Sequence, residues 1–113
     1  GILDYTHATL RARGTAAAAN AALERLTRSD LDGFWIHVDA DVLDPSVMPA
    51  VDSPEPGGLD LDELADLLVP LARHPAALGL ELTIYDPSLD PDRAAASRLT
   101  ALLERVLAHG STQ

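Results

Sequence analysis

Residues 34–45 read FWIHVDADVLDP, an apolar run followed at once by carboxylates. Residues 34–38 are rich in aromatic and β-branched side chains, which predicts a buried strand. Asp39 and Asp41 follow two positions apart, and an extended backbone would point both side chains to one face. Neighbouring carboxylates repel one another unless they are protonated or bridged by a cation. The end of this strand therefore predicts a cation site, with an aspartate-rich turn that caps the strand as the alternative.

Regular elements are predicted on both sides of this strand. The pattern indicates helices over residues 16–28, 59–74 and 91–109, and a second strand over residues 78–84. Asp60 is expected to cap the middle helix, and Pro70 to kink or shorten it. The order helix, strand, loop, helix, strand, helix favours a parallel sheet with right-handed crossovers.

Two strands are too few for an independent parallel sheet, which needs cover on both faces and usually four or more strands. We therefore expect residues 1–113 to form one segment of a larger α/β domain. The loop over residues 44–58 contains four prolines and two glycines, too many for a regular element. Ordered loops of this length are usually functional.

Composition narrows the chemistry that this chain can supply. It has no cysteine, which fits a cytoplasmic location and limits metal ligands to carboxylate and imidazole. All eight basic residues are arginine, so a lysine nucleophile is excluded within these residues. The net charge of −10 argues against nucleic acid and anionic membranes as partners. No apolar run approaches the roughly 20 residues of a membrane span.

Several kinds of site place aspartates in this spacing. Two carboxylates at a strand end suit hard cations such as Mn²⁺ or Mg²⁺. A calcium-binding EF-hand loop is excluded, because Leu43 and Asp44 occupy positions that need an oxygen ligand and a glycine. A phosphatase of the haloacid dehalogenase type also carries Asp-x-Asp after an apolar strand, but it needs a lysine that this chain lacks. It stays open here as an alternative enzyme.

Residues 39–59, DADVLDPSVMPAVDSPEPGGL, resemble the carboxyl-terminal motif of the arginase, agmatinase and formimidoylglutamase family, the ureohydrolases. Residues 78–89, LGLELTIYDPSL, are similar to the last catalytic strand of that family and the turn after it. The resemblance covers nearly all of this chain and about the last third of a family member. It implies a three-layer α/β/α fold with a mainly parallel sheet, of which only the carboxyl-terminal part is present.

The resemblance also implies a reaction and its site. Family members hold two Mn²⁺ ions, and a bridging hydroxide cleaves a C–N bond of a small guanidino or amidine substrate. Asp39 and Asp41 correspond to metal ligands, and the other ligands belong to an earlier segment of the domain. His37 is expected to hydrogen-bond a ligand rather than bind metal, and Ser53 to line the substrate site. We also expect a homo-oligomer.

The remaining assignments concern the loop and the core. Asp44, Pro45, Gly57 and Gly58 are expected to shape the loop, and Trp35 to lie in the core. His7, His74 and His109 are expected to be ordinary residues near helix ends or in loops.

One position departs from the family pattern. Arginases and agmatinases carry a glutamate that binds the guanidinium group where this chain has Ile84, and alternation places Glu81 on the opposite strand face. Arginine is therefore an unfavourable substrate, because a buried cation would lack its counter-charge. A different amidine or an amide fits better, and a non-catalytic assembly or binding module on the same fold is the alternative.

Overall fold

Two parallel strands and four α-helices make up the described part of the chain, which is residues 3–28 and 30–111 of the computed structural model. The elements are α1 (His7–Arg13), α2 (Thr15–Leu26), β1 (Phe34–Asp39), α3 (Leu61–Arg73), β2 (Ala77–Thr83) and α4 (Ala94–Ser111). Single turns of 3₁₀ helix follow the two strands, at Ala40–Val42 and Pro87–Leu89. The predicted parallel pairing of β1 with β2 is confirmed. None of the described helices combines the length and the apolar character that a membrane crossing requires.

The two faces of β1 have opposite environments. Phe34, Ile36 and Val38 are buried in one core cluster with apolar residues of α3 and α4. The alternate residues Trp35, His37 and Asp39 are exposed, because the described helices cover only one face of the sheet. Contrary to the prediction, Trp35 does not lie in the core formed by the described residues: it is 58% exposed. Its indole lies against Gly79 of β2, where a Cβ atom would have no room.

Local hydrogen bonds explain where the elements differ from their predicted bounds. The predicted first helix is α2, and α1 precedes it across Gly14, whose φ of 90° ends one helix and starts the next. α4 begins at Ala94 rather than at residue 91, and the buried Asp90 carboxylate accepts the N–H groups of Ala95 and Ala96. β2 ends at Thr83 because Ile84 has a φ of 75°, outside the extended region.

The middle helix begins as predicted. The Asp60 carboxylate accepts the N–H of Glu63, and the Glu63 carboxylate accepts the N–H of Asp60, which makes a complete capping box. Pro70 does not shorten α3, which continues to Arg73. α3 packs between α2 and α4, so it is held by tertiary contacts on two sides.

The loop over residues 44–58 is anchored in the core in its middle and at its end. Met48, Ala50 and Val51 are buried in the core cluster. Leu43 and Leu59 form an isolated parallel bridge, in which Asp44 N–H donates to the Leu59 carbonyl at 2.9 Å and Leu59 N–H to the Val42 carbonyl at 2.9 Å. Both leucines are almost fully buried. The loop is therefore an ordered part of the domain.

Asp44 holds both ends of this loop. Its carboxylate accepts the N–H of Ser46 at 3.0 Å, the hydroxyl of Ser46 at 2.6 Å and the N–H of Gly57 at 2.9 Å. The bonds from Ser46, and then that from the Gly57 N–H, lower the pKa of Asp44 to about 2. An ionised Asp44 thus ties the start of the loop to its last turn.

Replacing Gly58 with alanine is expected to lower the free energy of unfolding by about 1–3 kcal/mol. The new Cβ would lie 2.6 Å from the backbone nitrogen of Asp44 and 2.7 Å from the carbonyl carbon of Leu43. Urea denaturation measures the loss, and faster amide exchange at Leu59 would locate it at the bridge. Asp52→Ala, at an exposed position of the same loop, is the control. Equal stability of Gly58→Ala and the wild type would contradict this close approach.

The contribution of Asp44 to stability is expected to depend on pH. Its folded pKa lies below its ordinary value, so the stabilisation is complete above about pH 5 and is lost as the pH falls through about 2. Asp44→Asn should therefore be less stable than the wild type at pH 6, with a smaller difference at pH 3. Urea denaturation at both pH values measures this. Asp32→Asn, at an exposed loop carboxylate, is the control, and a pH-independent difference for Asp44→Asn would contradict the mechanism.

Candidate metal centre

Asp39 and Asp41 come from different backbone conformations. Asp39 is the last residue of β1, whereas Asp41 lies in the 3₁₀ turn Ala40–Val42. The expected alternation of an extended strand therefore stops at Asp39, because the chain tightens into a turn directly after it. Both side chains nevertheless line one cavity of about 680 Å³. The acidic pair thus lies at the carboxyl end of a parallel strand, where open α/β sheets bind their ligands.

His37 bridges two carboxylates on the exposed face of the sheet. The register pairs His37 with Glu81 and Asp39 with Thr83, so all four side chains share one face. The Nδ1 atom of His37 lies 2.7 Å from Glu81 Oε1, and its Nε2 atom lies 2.6 Å from Asp39 Oδ1. Thr83 Oγ1 donates to the same Asp39 oxygen at 2.7 Å.

These contacts determine the charge states of His37 and Asp39. The hydrogen bonds with Glu81 and then Asp39 raise the pKa of His37 above its ordinary value. The hydrogen bonds from Thr83 and then His37 lower the pKa of Asp39. Both directions favour an imidazolium between two carboxylates, and they keep Asp39 ionised at neutral pH. An ionised carboxylate is the form that binds a metal cation.

The donor set fits part of a site for a hard cation. The hydrogen bonds to Asp39 both end on Oδ1, so its Oδ2 has no such partner within the described residues. The carboxylate of Asp41 likewise has no hydrogen bond or ion pair within residues 3–28 and 30–111. Oxygen donors of this kind suit Mn²⁺ or Mg²⁺. No group of three or more histidine, aspartate or glutamate side chains in those ranges is arranged to hold a metal ion. Within the described residues, Asp39 and Asp41 are therefore two carboxylates that could contribute to such a site.

The loop supplies one wall of the cavity. Ser53, Glu55 and Pro56 line it and are exposed, and the turn at Gly57 follows directly. Gly57 has a φ of 91°, and Gly58 lies against the backbone of residues 42–44. Pro45 is partly buried beside Asp44, at the other end of the loop. The structure therefore brings Ser53 to the same cavity as Asp39 and Asp41.

Some residues of the site carried no recognisable signal in the sequence. His7 lines the cavity from α1, a helix that the sequence analysis did not predict. Thr83 bonds Asp39 only because the strands pair in this register. His74 is structural, since its Nδ1 accepts the N–H of Ala76, and the side chain of His109 lies outside the described part.

Ile84 follows β2 rather than belonging to it. Its positive φ places it beyond the extended region, so strand alternation does not decide its face relative to Glu81, contrary to the sequence argument. A β-branched residue rarely adopts this conformation, which makes Ile84 a strained position. Its side chain is 44% exposed.

Comparison with known proteins identifies relatives of this segment. The model of the arginase family matches residues 1–109. The chain is 40% identical over 77 residues to formimidoylglutamase of Bacillus subtilis (strain 168), over 65% of this chain and 24% of that protein. It is 35% identical over 66 residues to an N(1)-aminopropylagmatine ureohydrolase of Thermus thermophilus, over 58% of this chain and 22% of that protein. The chain thus spans about a quarter of the length of these relatives.

Solved structures agree with the sequence matches. The crystal structure of formimidoylglutamase from Bacillus subtilis has a TM-score of 0.84 and 30% identity, over 93% of this chain and 32% of that one. The structure of Trypanosoma cruzi formiminoglutamase with Mn²⁺ has the same fold, with a TM-score of 0.79 and 21% identity, over 94% of this chain and 35% of that one. These matches confirm the predicted fold class and leave the phosphatase alternative without support. The resemblance seen in residues 39–59 is confirmed, and the chain belongs to the arginase family.

Proposed function

We propose that the whole protein is a metal-dependent hydrolase that cleaves a C–N bond of a small guanidino, amidine or amide compound. One observation carries this proposal: Asp39 and Asp41 line a single cavity at the carboxyl end of β1, and Asp39 is held ionised by His37 and Thr83.

The proposed cofactor is a pair of Mn²⁺ ions. Asp39 and Asp41 would hold them together with ligands from a segment outside this chain, in keeping with the hard oxygen donors present here. When bound, such ions supply Lewis acidity, which lowers the pKa of a water molecule towards neutrality and polarises the substrate.

Within this chain, each side chain of the site has a separate task. Asp39 presents Oδ2 while its Oδ1 accepts bonds from His37 and Thr83, which orient its carboxylate. His37 bonds both Glu81 and Asp39, so it holds Asp39 in place relative to Glu81. We assign it this positioning role rather than metal binding. Ser53 is proposed to contact the substrate from the loop wall.

The exposed face of the sheet supports the proposal that the rest of the domain lies outside this chain. Trp35 is 58% exposed, and the side chains of His37, Asp39 and Glu81 on the same face are about half exposed. A parallel sheet is normally covered on both faces. We propose that further strands and helices of the same domain cover this face and supply the missing ligands. The substrate is a small molecule, and assembly into a homo-oligomer is part of the proposal.

Substitution of either aspartate in the whole protein is expected to abolish metal-dependent turnover. Asp39→Asn and Asp41→Asn should each lower kcat/KM by more than about 100-fold, because each removes an anionic ligand. Metal content by elemental analysis and kcat/KM are measured together. Asp52→Asn is the matched control, since Asp52 is an exposed carboxylate of the same loop. Unchanged activity and metal content in both site variants would contradict the assignment of these aspartates as metal ligands.

Urea release from arginine is expected to be poor, because Ile84 stands where the related arginases carry a carboxylate for the guanidinium group. A screen of guanidino, formimidoyl and amide compounds should give a kcat/KM for the best substrate at least tenfold above that for arginine, or about 1.4 kcal/mol.

A pair of variants isolates the charge at this position. Ile84→Glu should raise kcat/KM for arginine, and Ile84→Gln, of the same shape without the charge, should not. Robust arginase activity in the wild type would show that the interpretation of Ile84 is wrong. Absence of turnover with every compound, in protein that contains metal, would favour the alternative of a non-catalytic module.

A further inference from the structure

Arg11 links α1 to the end of the site loop. Its Nη1 atom donates to the Gly57 carbonyl at 3.1 Å, and its Nη2 atom donates to the Gly58 carbonyl at 2.6 Å. Two consecutive carbonyls are thus bound by one planar guanidinium group. A fork of this kind fixes direction as well as distance, which a single ammonium group cannot do.

The same guanidinium group reaches the start of α3. Its Nε atom lies 3.2 Å from Glu63 Oε2, and its Nη2 atom lies 3.4 Å from Glu63 Oε1. Glu63 already belongs to the capping box, and the bonds from the Asp60 N–H and then from Arg11 lower its pKa. Arg11 is therefore braced against the fixed end of a helix that packs into the core.

The turn at Gly57 and Gly58 is held from opposite directions. Arg11 binds its carbonyl groups, and the Asp44 carboxylate binds the N–H of Gly57. The residues just before this turn, Ser53, Glu55 and Pro56, line the cavity with Asp39 and Asp41. We call these three residues the cavity rim. The rim is exposed and lies between the buried Val51 and this turn, so the turn fixes the carboxyl-terminal side of the rim.

We propose that Arg11 is a positioning residue that holds the cavity rim over the acidic pair and thereby sets the affinity for substrate. The claim about substrate affinity rests on the proposed function, whereas the claim that Arg11 holds the rim does not. The hydrogen bonds and the ion pair of Arg11 go to Gly57, Gly58 and Glu63, and none goes to Asp39. Loss of Arg11 should therefore leave Asp39 and its partners in place. We therefore expect an effect on KM and a much smaller effect on kcat.

The test uses three variants of the whole protein. Arg11→Ala removes the fork, Arg11→Lys keeps the charge without the fork, and Arg13→Ala is the matched control. Arg13 lies on the same short helix, donates to the hydroxyl of Tyr5 at 2.9 Å and packs over its ring. Thermal unfolding shows whether each variant is folded.

Two measurements decide the inference. Amide hydrogen exchange of residues 53–59 should be at least tenfold faster in Arg11→Ala than in the wild type, and unchanged in Arg13→Ala. KM for the best substrate should rise roughly tenfold in Arg11→Ala with kcat within about twofold, and Arg11→Lys should recover part of the loss.

Unchanged exchange at the rim would overturn the inference. So would a parallel loss of kcat and thermal stability at constant KM, which is the result of a purely structural role. A wild-type protein without C–N hydrolase activity would overturn the proposed function and, with it, the substrate role of Arg11. The exchange measurement would still decide whether Arg11 holds the rim, so the two failures are distinguishable.

Discussion

The parallel pairing of β1 with β2, in one register, is the constraint on which the site depends. It places His37 beside Glu81 and Asp39 beside Thr83. Because side chains alternate between the faces of a strand, a slip of one residue would turn the bonded groups of β2 to the buried face. Gly79 lies opposite Trp35 in this register, and its lack of a Cβ leaves room for the indole in its present position. The electrostatic state of Asp39 is thus a consequence of strand pairing.

The loop after β1 is a long irregular segment that has to keep one position beside the cavity. It does so with charged groups at its last turn, where Asp44 binds an N–H group and Arg11 binds two carbonyls. The close approach of Gly58 to the backbone of residues 42–44 adds a steric requirement at the same point. The loop is therefore fixed by the burial of Met48, Ala50 and Val51 in its middle and by these contacts at its last turn. The exposed rim lies between these two anchors.

Much of the fold could be predicted because it follows from local patterns. The apolar run at residues 34–38, the cap at Asp60 and the prolines of the loop each have a local physical reason, and the family motif supplied the carboxylates of the site. The features that were predicted wrongly or missed depend on distant parts of the chain. Trp35 alternates correctly with its neighbours, but the burial of its face depends on elements that no local pattern shows. Arg11 meets its partners across 46 and 47 residues of sequence, with no periodicity to reveal them.

Exposure of the histidine bridge connects the fold to the proposed activity. The side chains of His37, Asp39 and Glu81 are each about half exposed, at 50%, 48% and 51%. Ion pairs in such surroundings hold their partners weakly, because water screens the charges and competes for the hydrogen bonds. Cover over this face would lower the local dielectric constant and strengthen the same contacts without moving them. We infer that the segment proposed to supply further metal ligands would also cover the bridge and strengthen it. Supply of those ligands and the fixing of Asp39 would then depend on the same part of the domain.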